Sequence, residues 1–114
     1  MNNIMTKTVL GDLNLYKANS FLSRLKGLLF TKELKTNSCI LIIPCGSVHT
    51  IGMRYAIHIL FLSKNNTILA IKNNLKPNRF CLGPRATYKV VELSAESEEI
   101  PLDVIGKKFS EDQL

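Results

Sequence analysis

The chain has 114 residues, of which 46% are hydrophobic and 21% are charged, and its formal net charge is +6. A chain of this size fits one domain, residues 1–114, which buries enough apolar surface to fold without a metal or a disulfide. The composition excludes general disorder, a collagen-like repeat and a disulfide-dense secreted scaffold.

The charges are distributed unevenly along the chain. Residues 1–91 carry thirteen Lys and Arg against two acids, whereas residues 92–114 carry seven acids against two Lys. A basic surface favours anionic partners such as RNA, DNA or acidic lipid headgroups. The N-terminus lacks the pattern of a signal peptide, and no apolar stretch is long enough to span a bilayer. The sequence therefore predicts a soluble, cytoplasmic protein with no transmembrane segment.

The predicted elements begin with two short strands and a helix. The strands are Lys7–Leu10 and Leu13–Lys17, and the turn-forming pair Gly11-Asp12 separates them. Apolar residues then recur at helical spacing, with a polar N-cap residue before them, which predicts one short amphipathic helix over Phe21–Leu29.

The remainder of the chain has the pattern of strands. Cys39–Ile43 is short and apolar, and Ala56–Ser63 is apolar on both faces, which predicts a central strand covered on both sides. Thr67–Lys72 completes a β-hairpin with it, Asn73–Pro84 is predicted as a long exposed loop, and Ala86–Leu93 is the last strand. This order indicates a mainly β fold, an antiparallel barrel or sandwich with one short helix.

A polar segment, Pro44–Tyr55, interrupts the apolar strands. Ser47, His49, Thr50 and Arg54 bring hydroxyl, imidazole and guanidinium groups together within it. Loops that a rigid scaffold positions are common binding sites, so the segment is the first candidate for a functional site.

Three motifs resemble one known family. They are RLKGLLF at Arg24–Phe30, PCGSVHTIGMRYAIHILFL at Pro44–Leu62 and VVEL at Val90–Leu93. In their order and spacing they are similar to the family called domain of unknown function 192, and the resemblance spans roughly Leu15–Gly106. It implies a compact jelly-roll-like barrel with a short helix, and it implies no established activity. Glu92 is one of the positions that match the family.

These observations favour a binding or accessory module for a small molecule or a protein partner. Its predicted polar pocket is formed by Ser47, His49, Thr50, Arg54 and Glu92. Arg54 and Glu92 are each at the edge of an apolar strand, so we expect them either to form a bidentate ion pair or to leave Arg54 as an anion-binding residue. A nucleic-acid-binding module that uses the basic face remains an alternative.

The other alternative is an enzyme that uses Cys45, His49 and Arg54 for acid–base or thiol chemistry. It is less favoured, because no third orienting residue is evident. Cys39, Cys45, Cys81 and His49 lack the paired spacing of zinc ligands, so we expect neither a metal nor a cofactor. His58 lies between two Ile residues and is predicted to be a hydrogen-bonded histidine of the core.

The purified protein should contain less than stoichiometric zinc and should keep its fold in a chelator, because its core is large enough to fold unaided. Metal analysis and a thermal melt with and without chelator test this. One tightly held zinc per chain, with unfolding on its removal, would contradict it.

Overall fold

The computed structural model describes residues 3–18 and 36–114, and the described chain is mainly β. Its strands are β1 (Asn3–Thr8), β2 (Gly11–Ala18), β3 (Ser38–Ile42), β4 (Ser47–His49), β5 (Ile57–Leu62), β6 (Ile68–Leu75), β7 (Phe80–Leu82) and β8 (Lys89–Ser94), and a short 3-10 helix spans Leu102–Val104. The helix predicted over Phe21–Leu29 lies outside the described residues. No helix in the described ranges is long and apolar enough to cross a membrane.

The strands form a large sheet and a small one. The large sheet has six strands in the order β1-β2-β3-β8-β5-β6, and β4 pairs with β7 in the small sheet. Neighbouring strands are antiparallel except for β2 and β3, which are parallel. The mainly β class is confirmed, but the large sheet does not close on itself, so the predicted barrel is wrong.

Two predicted boundaries are also wrong. The first turn is formed by Val9 and Leu10, because the Thr8 hydroxyl accepts a hydrogen bond from the Leu10 N–H and donates one to the Gly11 carbonyl. The segment Asn73–Pro84, predicted as a loop, contains the end of β6 and all of β7. β7 has only three residues, and its pairing depends on a strand more than 30 positions away in the chain.

Both faces of the large sheet are covered. All residues of β3, β5 and β8 are buried. Successive residues of a strand point to opposite faces, so these strands contribute to two separate apolar clusters. The first cluster contains Cys39, Leu41, Leu60, Leu62, Val91 and Leu93. The second contains Ile40, Ile42, Ile57, Ile59, Phe61 and Val90. β5 is thus a central strand, as its sequence predicts.

The C-terminal segment covers the first cluster and joins the two ends of the large sheet. Phe109 is fully buried there; its N–H donates to the Asn66 carbonyl (2.8 Å), and its carbonyl accepts from the Val9 N–H (2.7 Å). The Lys89 ammonium donates to Asn66 Oδ1 (2.6 Å). Burial, and secondly the charge of Lys17, lower the pKa of Lys89.

The small sheet covers the second cluster and approaches it very closely at Gly83. The Gly83 N–H donates to the Gly46 carbonyl at 2.9 Å. A Cβ atom added to Gly83 would lie 2.5 Å from Phe61 Cδ1 and 2.8 Å from Thr87 Oγ1. Only glycine therefore allows the chain that follows β7 to pass this close to the large sheet.

Gly83→Ala should lower the free energy of unfolding by about 1–3 kcal/mol, because the added methyl group overpacks the contact with Phe61. Gly46→Ala is the matched control, since no atom lies within 4 Å of a Cβ atom built there. Urea unfolding of both variants measures the difference. Equal effects of the two substitutions would contradict the close approach.

Candidate functional site

The small sheet has an inner and an outer face. Val48 lies opposite Cys81, and both pack against the second cluster. Because neighbouring residues of a strand alternate between faces, the other residues of β4 and β7 point away from the core. They are Ser47 opposite Leu82, and His49 opposite Phe80. Phe80 and Leu82 are 66% and 73% exposed.

Thr50 directly follows β4 and forms hydrogen bonds with the chain that leads into β7. It is fully buried, and its hydroxyl donates to the Lys76 carbonyl (2.6 Å) and accepts from the Arg79 N–H (2.9 Å). Its own N–H donates to the Arg79 carbonyl (2.8 Å), and its carbonyl accepts from the N–H groups of Asn78 and Met53. Thr50 is predicted as a ligand residue, but each of its polar groups forms a hydrogen bond with the main chain.

A tight turn follows Thr50 at the surface of the molecule. Gly52 has a φ of +83°, which favours glycine, and its N–H donates to Asn78 Oδ1 at 3.1 Å. Ile51, just before it, is 62% exposed. We call residues 50–54 and 76–79 the Thr50 corner. Its exposed charged residues are Arg54, Lys76 and Arg79.

The predicted ion pair between Arg54 and Glu92 does not form. Arg54 is exposed, whereas Glu92 is 1% exposed in the middle of β8, on the face that the small sheet covers. Among the described residues, the salt bridge that does form joins Lys108 to Glu111. Glu92 instead influences Tyr55, whose pKa is raised by burial and secondly by the Glu92 charge.

Cys45 and His49 lie on different sides of the small sheet. The Cys45 thiol donates to the Ser47 carbonyl at 3.0 Å, and the side chain packs against the second cluster, whereas His49 is exposed on the outer face. Cys39 belongs to the first cluster, on the opposite face of the large sheet from Cys45 and Cys81. Among residues 3–18 and 36–114, no group of three or more His, Cys, Asp or Glu could hold a metal ion.

His58 is a hydrogen-bonded histidine of the core, which confirms the prediction. It is fully buried, and its Nδ1 accepts from the Asn74 N–H at 3.0 Å. Its Nε2 therefore carries the proton and donates to the Ser97 carbonyl at 3.1 Å. Both ring nitrogens are used for structure.

The sequence does not predict the half of this surface that β7 supplies. Phe80 and Leu82 lie in a segment rich in Asn and Pro, where three residues are too few to show the pattern of a strand. The sequence does indicate the positive charge of this region, because residues 36–91 contain seven Lys and Arg and no acid. The cations are Arg54, Lys64, Lys72, Lys76, Arg79, Arg85 and Lys89.

The fold and this surface define a class: a small mainly β domain in which a two-stranded sheet covers one face of an open six-stranded sheet. The model of the family DUF192, described as "Uncharacterized ACR, COG1430", matches residues 4–105, nearly the whole chain. The chain belongs to this family, which confirms the resemblance of the three motifs. No curated protein matches the sequence.

Two solved structures share the fold. One, from Sinorhizobium meliloti 1021, is named as a candidate transcription regulator; it has a TM-score of 0.66 and 18% identity, with 85% of each chain covered. The other, a protein of unknown function from Novosphingobium aromaticivorans DSM 12444, has a TM-score of 0.65 and 17% identity, with 81% of this chain and 71% of that chain covered. At these identities the likeness shows the fold alone.

Thr50→Val should lower the free energy of unfolding by about 2–3 kcal/mol, because it leaves the Lys76 carbonyl and the Arg79 N–H without their buried partner. Thr8→Val is the matched control: its hydroxyl also bonds one carbonyl and one N–H, but in an exposed turn, so we expect a loss below about 1 kcal/mol. Similar losses in urea unfolding would mean that Thr50 does not hold the corner.

Cys39 should react with an alkylating agent only when the chain unfolds, because burial raises its pKa to about 12. Cys45 and Cys81, which are partly exposed, should react in the folded protein. Mass spectrometry of peptides after timed alkylation separates the three thiols. Selective modification of Cys45 at mildly acidic pH would contradict its structural role and favour the enzyme alternative.

Proposed function

We propose that this protein is a binding module that uses the outer face of the small sheet together with the Thr50 corner. This small-sheet surface consists of Ser47, His49, Ile51, Arg54, Lys76, Arg79, Phe80 and Leu82. It contains three residues of the predicted pocket, Ser47, His49 and Arg54. Thr50 is buried and holds the corner through its hydrogen bonds, and Glu92 is buried on the face of the large sheet that the small sheet covers. The proposal therefore replaces a pocket with an open surface.

The observation that carries the proposal is the exposure of large apolar side chains in one place. Ile51, Phe80 and Leu82 are 62%, 66% and 73% exposed on one short sheet and its turn. An apolar patch surrounded by polar groups marks an interaction site more often than an isolated exposed residue does. The hydrogen bonds of Thr50 hold the backbone below the patch, so a partner would meet a preformed surface.

The charges around the patch favour an anionic partner. Arg54, Lys76 and Arg79 are exposed at the corner, and no acid occurs between residues 36 and 91. A surface of one sign raises the local concentration of oppositely charged partners and speeds their association. The small-sheet surface is therefore positively charged, as the whole chain is.

The enzyme alternative has less support from the geometry. A thiol nucleophile needs a base within hydrogen-bonding distance, but Cys45 packs inward and His49 projects outward. The name of the Sinorhizobium meliloti protein adds no support for nucleic-acid binding, because that likeness is one of fold.

The experiment compares two variants of equal charge on immobilised heparin, a soluble polyanion used as the probe. Arg54→Gln/Arg79→Gln and Lys107→Gln/Lys108→Gln each remove two positive charges, and all four side chains are exposed. The first variant should elute at clearly lower salt than the second, because only the first alters the small-sheet surface. Equal elution of the two variants, or no retention of the unaltered protein, would contradict the proposal.

A further inference from the structure

We propose that the small-sheet surface docks on an anionic lipid bilayer, with its apolar side chains entering the interface and its cations meeting lipid phosphates. This inference rests on the proposed function and names the partner. Three features of the molecule support it: the kind of apolar side chain that is exposed, the cations in the adjoining corner, and two acids on the opposite side of the molecule.

The exposed apolar side chains fit lipid better than they fit nucleic acid. Phe80 and Leu82 are two residues apart on β7, so they project from the same face about 7 Å apart. Ile51 projects from the adjoining turn. Two of these three side chains are aliphatic and have no ring on which a base can stack. They gain chiefly by leaving water, which the acyl boundary of a bilayer allows.

The exposed cations of the Thr50 corner are close in the chain to those side chains, and long Lys and Arg side chains extend their charged ends toward a polar headgroup layer. Arg79 directly precedes Phe80, and the backbone bonds of Thr50 hold residues 76–79 against the turn that contains Ile51. Each Lys or Arg near an anionic membrane surface strengthens binding by about fivefold. Arg54, Lys76 and Arg79 together therefore contribute about a hundredfold.

Two exposed acids lie on the opposite side of the molecule and would help to orient the protein on the membrane. A cleft of about 320 Å³ lies there, lined in part by Leu13 and Leu93 of the first cluster and by Glu98 and Glu99. The first cluster and the small sheet are on opposite faces of the large sheet. An anionic membrane would repel the cleft and attract the small-sheet surface, so the charges favour one orientation.

Sedimentation with vesicles tests the inference. The unaltered protein should bind vesicles of phosphatidylcholine with about one third phosphatidylglycerol, and it should bind pure phosphatidylcholine vesicles at least about tenfold more weakly. Phe80→Ser/Leu82→Ser should reduce binding to the anionic vesicles by about tenfold or more. The matched control is Ile4→Ser/Leu102→Ser, whose side chains are 70% and 66% exposed elsewhere; it should bind as the unaltered protein does.

Tryptophan fluorescence tests the orientation, because the chain contains no Trp. The emission of Leu82→Trp should shift to shorter wavelength when anionic vesicles are added, and that of Leu102→Trp should not. A shift in both variants, or in neither, would contradict the proposed orientation.

Three results would overturn the lipid inference. If the heparin experiment gives the expected order but vesicles do not bind, the binding surface stands and its partner is not lipid. The same holds if a single-stranded oligonucleotide binds to the small-sheet surface more tightly than anionic vesicles do. If neither heparin nor vesicles depend on the small-sheet surface, the inference and the proposed function fail together.

Discussion

The structure depends on one constraint: the central strands of its large sheet are apolar on both faces and must be covered twice. β3, β5 and β8 contain no exposed residue. The C-terminal segment covers one face and binds the two turns at the ends of the sheet through Phe109. The small sheet covers the other face, which it approaches closely at Gly83. The attachment of the C-terminal segment and the small sheet accounts for the buried hydrogen bonds of Asn66, Lys89 and Thr50.

The same constraint shapes the candidate site. A two-stranded sheet that covers a core uses one face for that purpose and leaves the other to solvent, so β4 and β7 necessarily present outward side chains. Thr50 fixes how they are presented, because its polar groups join β4 to the chain that precedes β7. The exposed residues of the proposed surface are therefore the neighbours of Thr50, whose own polar groups bond to the main chain.

How much of this could be predicted from the sequence depends on the range of the interactions. The apolar pattern of β5 predicts its burial correctly, because periodicity along one strand reports the environment of both faces. The polar segment also indicates the region that contains β4 and the first part of the Thr50 corner. The role of Thr50 leaves no sequence signal, since its partners are main-chain N–H and C=O groups, which do not depend on the side chain. The predicted pairing of Arg54 with Glu92 fails because sequence position does not show that one side chain is exposed and the other buried.

Native-state hydrogen exchange of the Thr50 corner tests the account most directly. The N–H groups of Thr50, Asn78 and Arg79 are all hydrogen-bonded there, although the side chains of Asn78 and Arg79 are exposed. We predict that these amides exchange about a thousandfold or more slowly than in the unfolded chain, as amides of a rigid support do. Exchange within about tenfold of the unfolded rate, while β5 and β8 stay protected, would contradict a preformed binding surface.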